Sequence, residues 1–102
     1  MARFDVYKCK SEAVPLVIDV QADLLSDLST CAVLPLIPEK QAKKEVLPKL
    51  KPIIKIEGVN YVLMTTDIGV VARLSLGKYI TNIENDYRQE VMEAINFLFQ
   101  GF

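Results

Sequence analysis

Ile53-Ile54-Lys55-Ile56-Glu57-Gly58-Val59-Asn60-Tyr61-Val62-Leu63-Met64-Thr65 is the stretch that decides the fold. Two apolar, largely β-branched runs, Ile53–Ile56 and Tyr61–Thr65, flank Glu57-Gly58, and that arrangement signals a β-hairpin. Working outward, more strands follow. Phe4-Asp5-Val6-Tyr7 alternates and reads as a first strand. Val14–Val20 is β-branched and mostly apolar, a buried strand with Pro15 near its start. Cys31–Leu36 is a third, and Pro35 places it at an edge or a bulge, because proline cannot donate to a ladder. Val70–Leu74 is the last clear strand.

A helix from about Ile83 closes the chain. Ile83, Tyr87, Val91, Ala94, Ile95 and Leu98 recur at three- and four-residue steps, one face of an α-helix lying on a core. Thr81 and Glu84 make a capping box at its start, with Asn82 as the rival cap. At about 100° per residue, Met92 and Phe99 fall on the far side of that stripe. The last turns are therefore apolar on two faces, and Phe97, Leu98, Phe99 and Phe102 have to pack against something. The second seam predicts a symmetric dimer contact near the C-terminus; the alternative is a deeper core that takes Met92 and Phe99. Many short strands followed by one helix describe a compact antiparallel barrel or sheet with a helix laid across it.

The segment Pro38–Lys51 carries five lysines against two glutamates. It reads as a solvated excursion with a short helical turn near Ala42, or as a basic flap over an acidic partner.

Composition narrows the function. At 102 residues the chain is one domain, able to bury roughly 65% of its unfolded surface. A hydrophobic content of 51% excludes disorder, and a formal net charge of −1 leaves no bulk positive field for non-specific nucleic-acid binding. No apolar run is long enough to span a bilayer, and Met1–Asp5 lacks a signal-peptide core, so a cytoplasmic address is expected. Cys9 and Cys31 have no CxxC spacing and are expected as reduced thiols. There is no histidine, which removes the commonest general base and metal ligand. Gly58, Gly69, Gly77 and Gly101 form no phosphate-cradling loop. No cofactor or metal is expected, and the chain does not read as an enzyme.

Four strings carry a resemblance. Val17-Ile18-Asp19-Val20-Gln21-Ala22-Asp23-Leu24-Leu25, Val33-Leu34-Pro35-Leu36, Leu63-Met64-Thr65-Thr66-Asp67 and Ala94-Ile95-Asn96-Phe97-Leu98-Phe99-Gln100-Gly101-Phe102 resemble, in order and over essentially the whole chain, the CcdB family. CcdB is the toxin of the ccd toxin–antitoxin module, found on plasmids and chromosomes. The resemblance implies an SH3-like barrel of antiparallel strands with a small extra sheet and a C-terminal helix, the fold also used by MazF and Kid toxins. It implies a homodimer joined through the sheet and the C-terminal end, here Met92, Phe99, Gly101 and Phe102. It implies a poison that binds the DNA gyrase A subunit and traps the gyrase–DNA cleavage complex, and a CcdA-type antitoxin whose disordered tail lies along the toxin. That tail is expected near the edge opened by Pro35.

Carried onto this chain, the gyrase contact falls on Gln100, Gly101 and Phe102, with Ala22, Leu24 and Asn96 nearby. Gly101 keeps the family pattern. Phe102 replaces what is usually an aliphatic residue, and Gln100 stands where the best-known members carry tryptophan. An amide offers hydrogen bonds but no aromatic face for a gyrase arginine. The ordinary readings of Leu24 and Asn96 are a core leucine and a solvated helix residue. Two rivals remain: an endoribonuclease of the MazF and Kid kind, needing a basic groove from the scattered Arg3, Arg73 and Arg88, and a homologue that binds antitoxin but has lost toxicity through Gln100.

Overall fold

The computed structural model describes residues 2–10 and 14–101. Its strands are β1 (Asp5–Cys9), β2 (Leu16–Asp19), β3 (Thr30–Pro38), β4 (Ile53–Ile56), β5 (Val59–Leu63), β6 (Gly69–Ala72) and β7 (Leu76–Asn82), with helices α1 (Glu39–Ala42) and α2 (Glu84–Gln100). The spatial order is β4-β5-β3-β2-β1-β7, and β6 pairs with β3. Every pairing is antiparallel, and the sheet curls into a half-barrel closed by the C-terminal helix, as the resemblance implied.

The β4–β5 hairpin forms where its sequence indicates. Ile53 faces Val62 and Ile56 faces Val59. Glu57 (φ 51°) and Gly58 (φ 81°) both adopt positive φ, as the two-residue type I′ turn requires. Buried Ile54 and Ile56 alternate with exposed Ile53 and Lys55.

Pro35 marks neither an edge nor a bulge. It lies mid-way along β3, an inner strand, opposite Val17 of β2. On its other side β3 pairs with β6 through residues 30–33 and with β5 through residues 36–38. The Pro35 carbonyl accepts from Met64 N–H (2.9 Å) on that side. The N–H that proline lacks therefore falls in the gap where β3 changes partner, the one place in an inner strand where its loss is free. No edge opens at Pro35, so an antitoxin tail has no free ladder to join there by strand addition.

The strand expected over Val70–Leu74 ends earlier, at Ala72, and a further strand, β7, follows the turn Arg73–Ser75. β7 pairs with β1 alone among the described strands, with register shifts on either side of Tyr7. At Gly77 the strands approach so closely that a Cβ would lie 2.6 Å from the Lys8 carbonyl oxygen.

Both sheet faces are covered. The main core joins Phe4, Ile18, Leu36 and Ile54 to Val91 and Ala94 of α2. A smaller cluster of Tyr7, Val17, Cys31 and Val33 fills the opposite face, with Val71 and Leu76 curling over it. Cys31 is buried and Cys9 half-buried, and both are free.

The stripe on α2 lies on the core as expected: Ile83, Val91 and Ala94 are buried, and Tyr87, Ile95 and Leu98 half-buried. The Tyr87 hydroxyl accepts from Lys55 N–H (3.1 Å), tying the helix to β4, an outer strand. The capping box does not form, because Thr81 is held in β7 opposite Val6. Asn82 caps instead, its Oδ1 accepting from Glu84 N–H (2.9 Å). Met92 and Phe99 part company. Met92 is half-buried against the main core, whereas Phe99 is 69% exposed. The deeper-core alternative thus holds for Met92 only.

The Pro38–Lys51 segment contains the anticipated helical turn, α1 followed by a turn over Lys43–Glu45, and Lys51 pairs with Glu45 at 2.8 Å. No helix among the described residues is long and apolar enough to cross a membrane.

Candidate functional site

Two groups of exposed side chains mark the surface. The first is the end of α2. Asn96 and Gln100, one turn apart, share an exposed face. Gly101 terminates the helix in the left-handed conformation (φ 78°), its N–H donating to Phe97 O at 2.8 Å. A Cβ at Gly101 would meet nothing within 4 Å, so glycine serves the backbone conformation there and not a tight contact. Phe102 lies outside the described residues. Phe97 turns inward and, with Leu47, Pro48 and Leu50, walls an apolar cleft beside the helix end.

The second group sits on the loop between β2 and β3. Asp23–Leu25 forms a single 3₁₀ turn that buries none of its residues. Ala22 is exposed and Leu24 is 92% exposed, so the core reading of Leu24 is wrong. Asn96 is exposed, in keeping with its reading as a solvated helix residue. Across the strands, Leu74 is 94% exposed, and Leu28 and Val70 are exposed too.

The β2–β3 loop is anchored to Arg3, whose neighbour Phe4 lies beneath Arg88 in the first half of α2. Arg3 N–H donates to Asp23 Oδ1 (2.6 Å), and Arg3 Nε donates to Val20 O (3.2 Å). The Arg3 and Arg88 guanidinium groups stand 5.4 and 5.7 Å from the centre of the Phe4 ring. Phe4 holds a positive φ of 72°, fixed by its N–H on Asp19 O (2.7 Å) and by Ile83 N–H on its carbonyl (3.1 Å). From Arg88 to Gln100 the helix rises roughly 18 Å. A partner touching both Leu24 and Gln100 must therefore span an extended face.

A polar network that sequence reasoning did not single out lies behind this loop. Asp19 is buried; its Oδ1 accepts from Gln21 N–H (2.9 Å), and its Oδ2 lies 3.7 Å from Arg73 Nη1. Burial, with Asp19 alongside, pushes the Cys31 thiol up to about 12. Burial, with Asp5 beside it, likewise raises the Tyr7 phenol to about 12. A thiol so placed stays protonated at neutral pH and is no nucleophile. Asp5 is held by Ala2 N–H (2.7 Å), Tyr7 Oη–H (3.1 Å) and Asn82 Nδ2–H (2.9 Å). Of the three scattered arginines, Arg3 and Arg88 share the Phe4 ring, while Arg73 is drawn to Asp19. The arrangement holds surfaces in place; among the described residues no His/Cys/Asp/Glu group could hold a metal ion.

Two comparisons bear on this geometry. A mycobacterial endoribonuclease, solved in complex with its cognate antitoxin, shares the fold at a TM-score of 0.75 and 13% sequence identity, over 97% of this chain and 94% of its own. The family described as CcdB protein matches residues 3–101, nearly the whole length and all seven strands and both helices above. The chain belongs to the CcdB family.

Proposed function

We propose that this chain, a toxin of a toxin–antitoxin pair by its family, acts by binding the DNA gyrase A subunit and trapping the gyrase–DNA cleavage complex. The observation that carries the reading is the family match together with an outward-facing set of the implied contact residues: Ala22, Leu24, Asn96, Gln100 and Gly101 are all exposed. Solvent-bare leucine and amide groups on an ordered scaffold suit recognition, since their burial waits for a partner. In this reading the chain acts by binding and not by catalysis. Arg73 and Arg3 are engaged with backbone carbonyls, and the carboxylate nearest Arg73 is buried.

The chain works as a homodimer in this reading, with Phe99, Gly101 and Phe102 near the two-fold axis and Met92 at its margin. The exposure of Phe99 at the helix end supports that contact. A CcdA-type antitoxin is the regulatory partner; the related fold was solved with its cognate antitoxin bound.

The second reading, ribonuclease action, draws on that same relative, an endoribonuclease. One experiment separates the two. Purified chain is assayed for gyrase supercoiling inhibition and cleavage-complex formation, and in parallel for cleavage of total RNA. Inhibited supercoiling with intact RNA supports the gyrase reading; cut RNA with unaffected gyrase reverses the order.

A further inference from the structure

We propose that Arg73 and Gln21 are positioning residues, a polar clamp that locks the β2–β3 loop so that Leu24 is held out, rigid and bare, as an anchor for the protein target. The inference rests on the gyrase contact proposed above and adds the device that presents it.

The loop presents a puzzle of cause. Residues 22–30 are all exposed, so hydrophobic burial does not order them. Yet their backbone follows a defined path of three-residue turns: Leu25 N–H to Ala22 O (2.9 Å), Ser26 N–H to Asp23 O (3.0 Å) and Leu28 N–H to Leu25 O (3.1 Å). Isolated turns of this kind melt readily in water.

Besides the Asp23 carboxylate, which holds Arg3 N–H at the start of the turn, two side chains supply what burial does not. Gln21 Nε2 donates to Leu25 O (3.2 Å) and to Thr30 O (3.1 Å), and its Oε1 accepts from Ala32 N–H (3.2 Å), so one amide ties the loop to itself and to β3. Arg73 grips the far end. Its Nε donates to Leu28 O (2.7 Å), its backbone N–H donates to Ser29 O (2.9 Å), and its Nη1 lies 3.7 Å from Asp19. The same buried Asp19 accepts from the Gln21 backbone N–H, so the chain bearing Gln21 and the Arg73 guanidinium both converge on one carboxylate. All this polar scaffolding holds an element that adds nothing to either core. What it fixes is the position of Leu24, 92% exposed at the crest. Pre-ordering an apolar anchor removes its ordering cost from the binding step.

The test uses the whole chain and a purified gyrase A dimerisation-region fragment. Arg73→Lys keeps the charge near Asp19 but loses the fork that reaches Leu28 O as well. Gln21→Glu, a second and independent variant, keeps an acceptor for Ala32 N–H but cannot donate to Leu25 O or Thr30 O. In the free protein, hydrogen exchange at Ser26 and Leu28 should rise at least about tenfold in each variant while Val91 in α2 stays protected. Fragment affinity should fall about tenfold in each. In a Leu24→Ala background, neither substitution should weaken binding further, since a clamp acts only through the anchor it holds. A loss that persists in full without Leu24 overturns the proposal, as does raised exchange with unchanged affinity, or unchanged exchange. A wild-type chain that ignores the fragment overturns the gyrase reading, and with it the assignment of the anchor's target; the exchange data then still decide whether the clamp exists.

Discussion

Gly77→Ala is the substitution whose outcome the structure fixes most tightly. An added Cβ would lie 2.6 Å from Lys8 O and 3.2 Å from Lys8 C and Cβ. Carbon–oxygen contacts between strands rest at about 3.3 Å or more, so β7 must retreat from β1 by roughly 0.7 Å. The obstacle is backbone and cannot rotate away. Nor can β7 simply follow a neighbour, because among the described strands it pairs with β1 alone, across a register shift. Overpacking of this kind costs about 1–3 kcal/mol. In a chain of this size that corresponds to a drop in Tm of roughly 5–20 °C. Gly69→Ala is the matched control, since its Cβ would find only Asp67 O, at 3.9 Å. Thermal unfolding followed by circular dichroism reads both. A Gly77→Ala protein melting within about 2 °C of wild type would refute the reasoning, for it would mean that the β1–β7 contact yields at no cost.

Deleting Gln100, Gly101 and Phe102 should abolish toxicity in a gyrase-dependent host while antitoxin binding persists, because α2 has already placed Val91 and Ala94 in the core; continued killing of gyrase-resistant cells would sink the gyrase reading. Gln100→Trp should hold or raise potency in a DNA-cleavage assay, as an aromatic face adds about 0.5–2 kcal/mol against an arginine. Sedimentation at micromolar concentration should give a dimer that Phe99→Ser weakens, the Phe99 side chain being 69% exposed; a wild-type monomer rules this out. Stability should hold up to about pH 9 and decline toward about pH 12: Cys31 is raised from 9.0 and Tyr7 from 10.0, both to about 12, so each ionises more readily in the unfolded chain. Urea midpoints measured across that range, with Cys31→Ala as the reference, report the slope.

The sequence made the hairpin legible because Ile54 and Ile56 alternate with solvent-facing neighbours around a turn that needs positive φ. It made α2 legible because Ile83, Val91 and Ala94 keep helical spacing. β7 was not legible, since Gly77, Lys78 and Asn82 break its apolar alternation and its support comes from a strand far away in the chain. Pro35 misled because the rule against inner-strand prolines assumes one continuous partner on each side, and β3 has two in succession on one side. Leu24 misled in the other direction: an aliphatic residue in the pair Leu24-Leu25 looks like core unless the turn that lifts it is known. The contact residues came through resemblance to a family. The clamp could not, because Arg73 reaches Leu28 and Asp19 only after β3 and β6 have paired.

The pairing of β1 with β7 has a consequence for timing. Asp5 faces Asn82, so β1, which can pair early with β2, finds its second ladder partner only after β7 has been synthesised. The core, too, waits for Val91 and Ala94. The β4–β5 hairpin can zip within microseconds, but closing a loop this long comes late. At about 5–20 residues per second, a nascent chain spends several seconds with its inner sheet incomplete. A chain built this way completes its sheet and core only once β7 and α2 have both been made. Ribosome-stalled chains ending before Leu76 should accordingly remain open to protease, whereas chains extending past Gln100 should resist it; early resistance would place folding ahead of this closure.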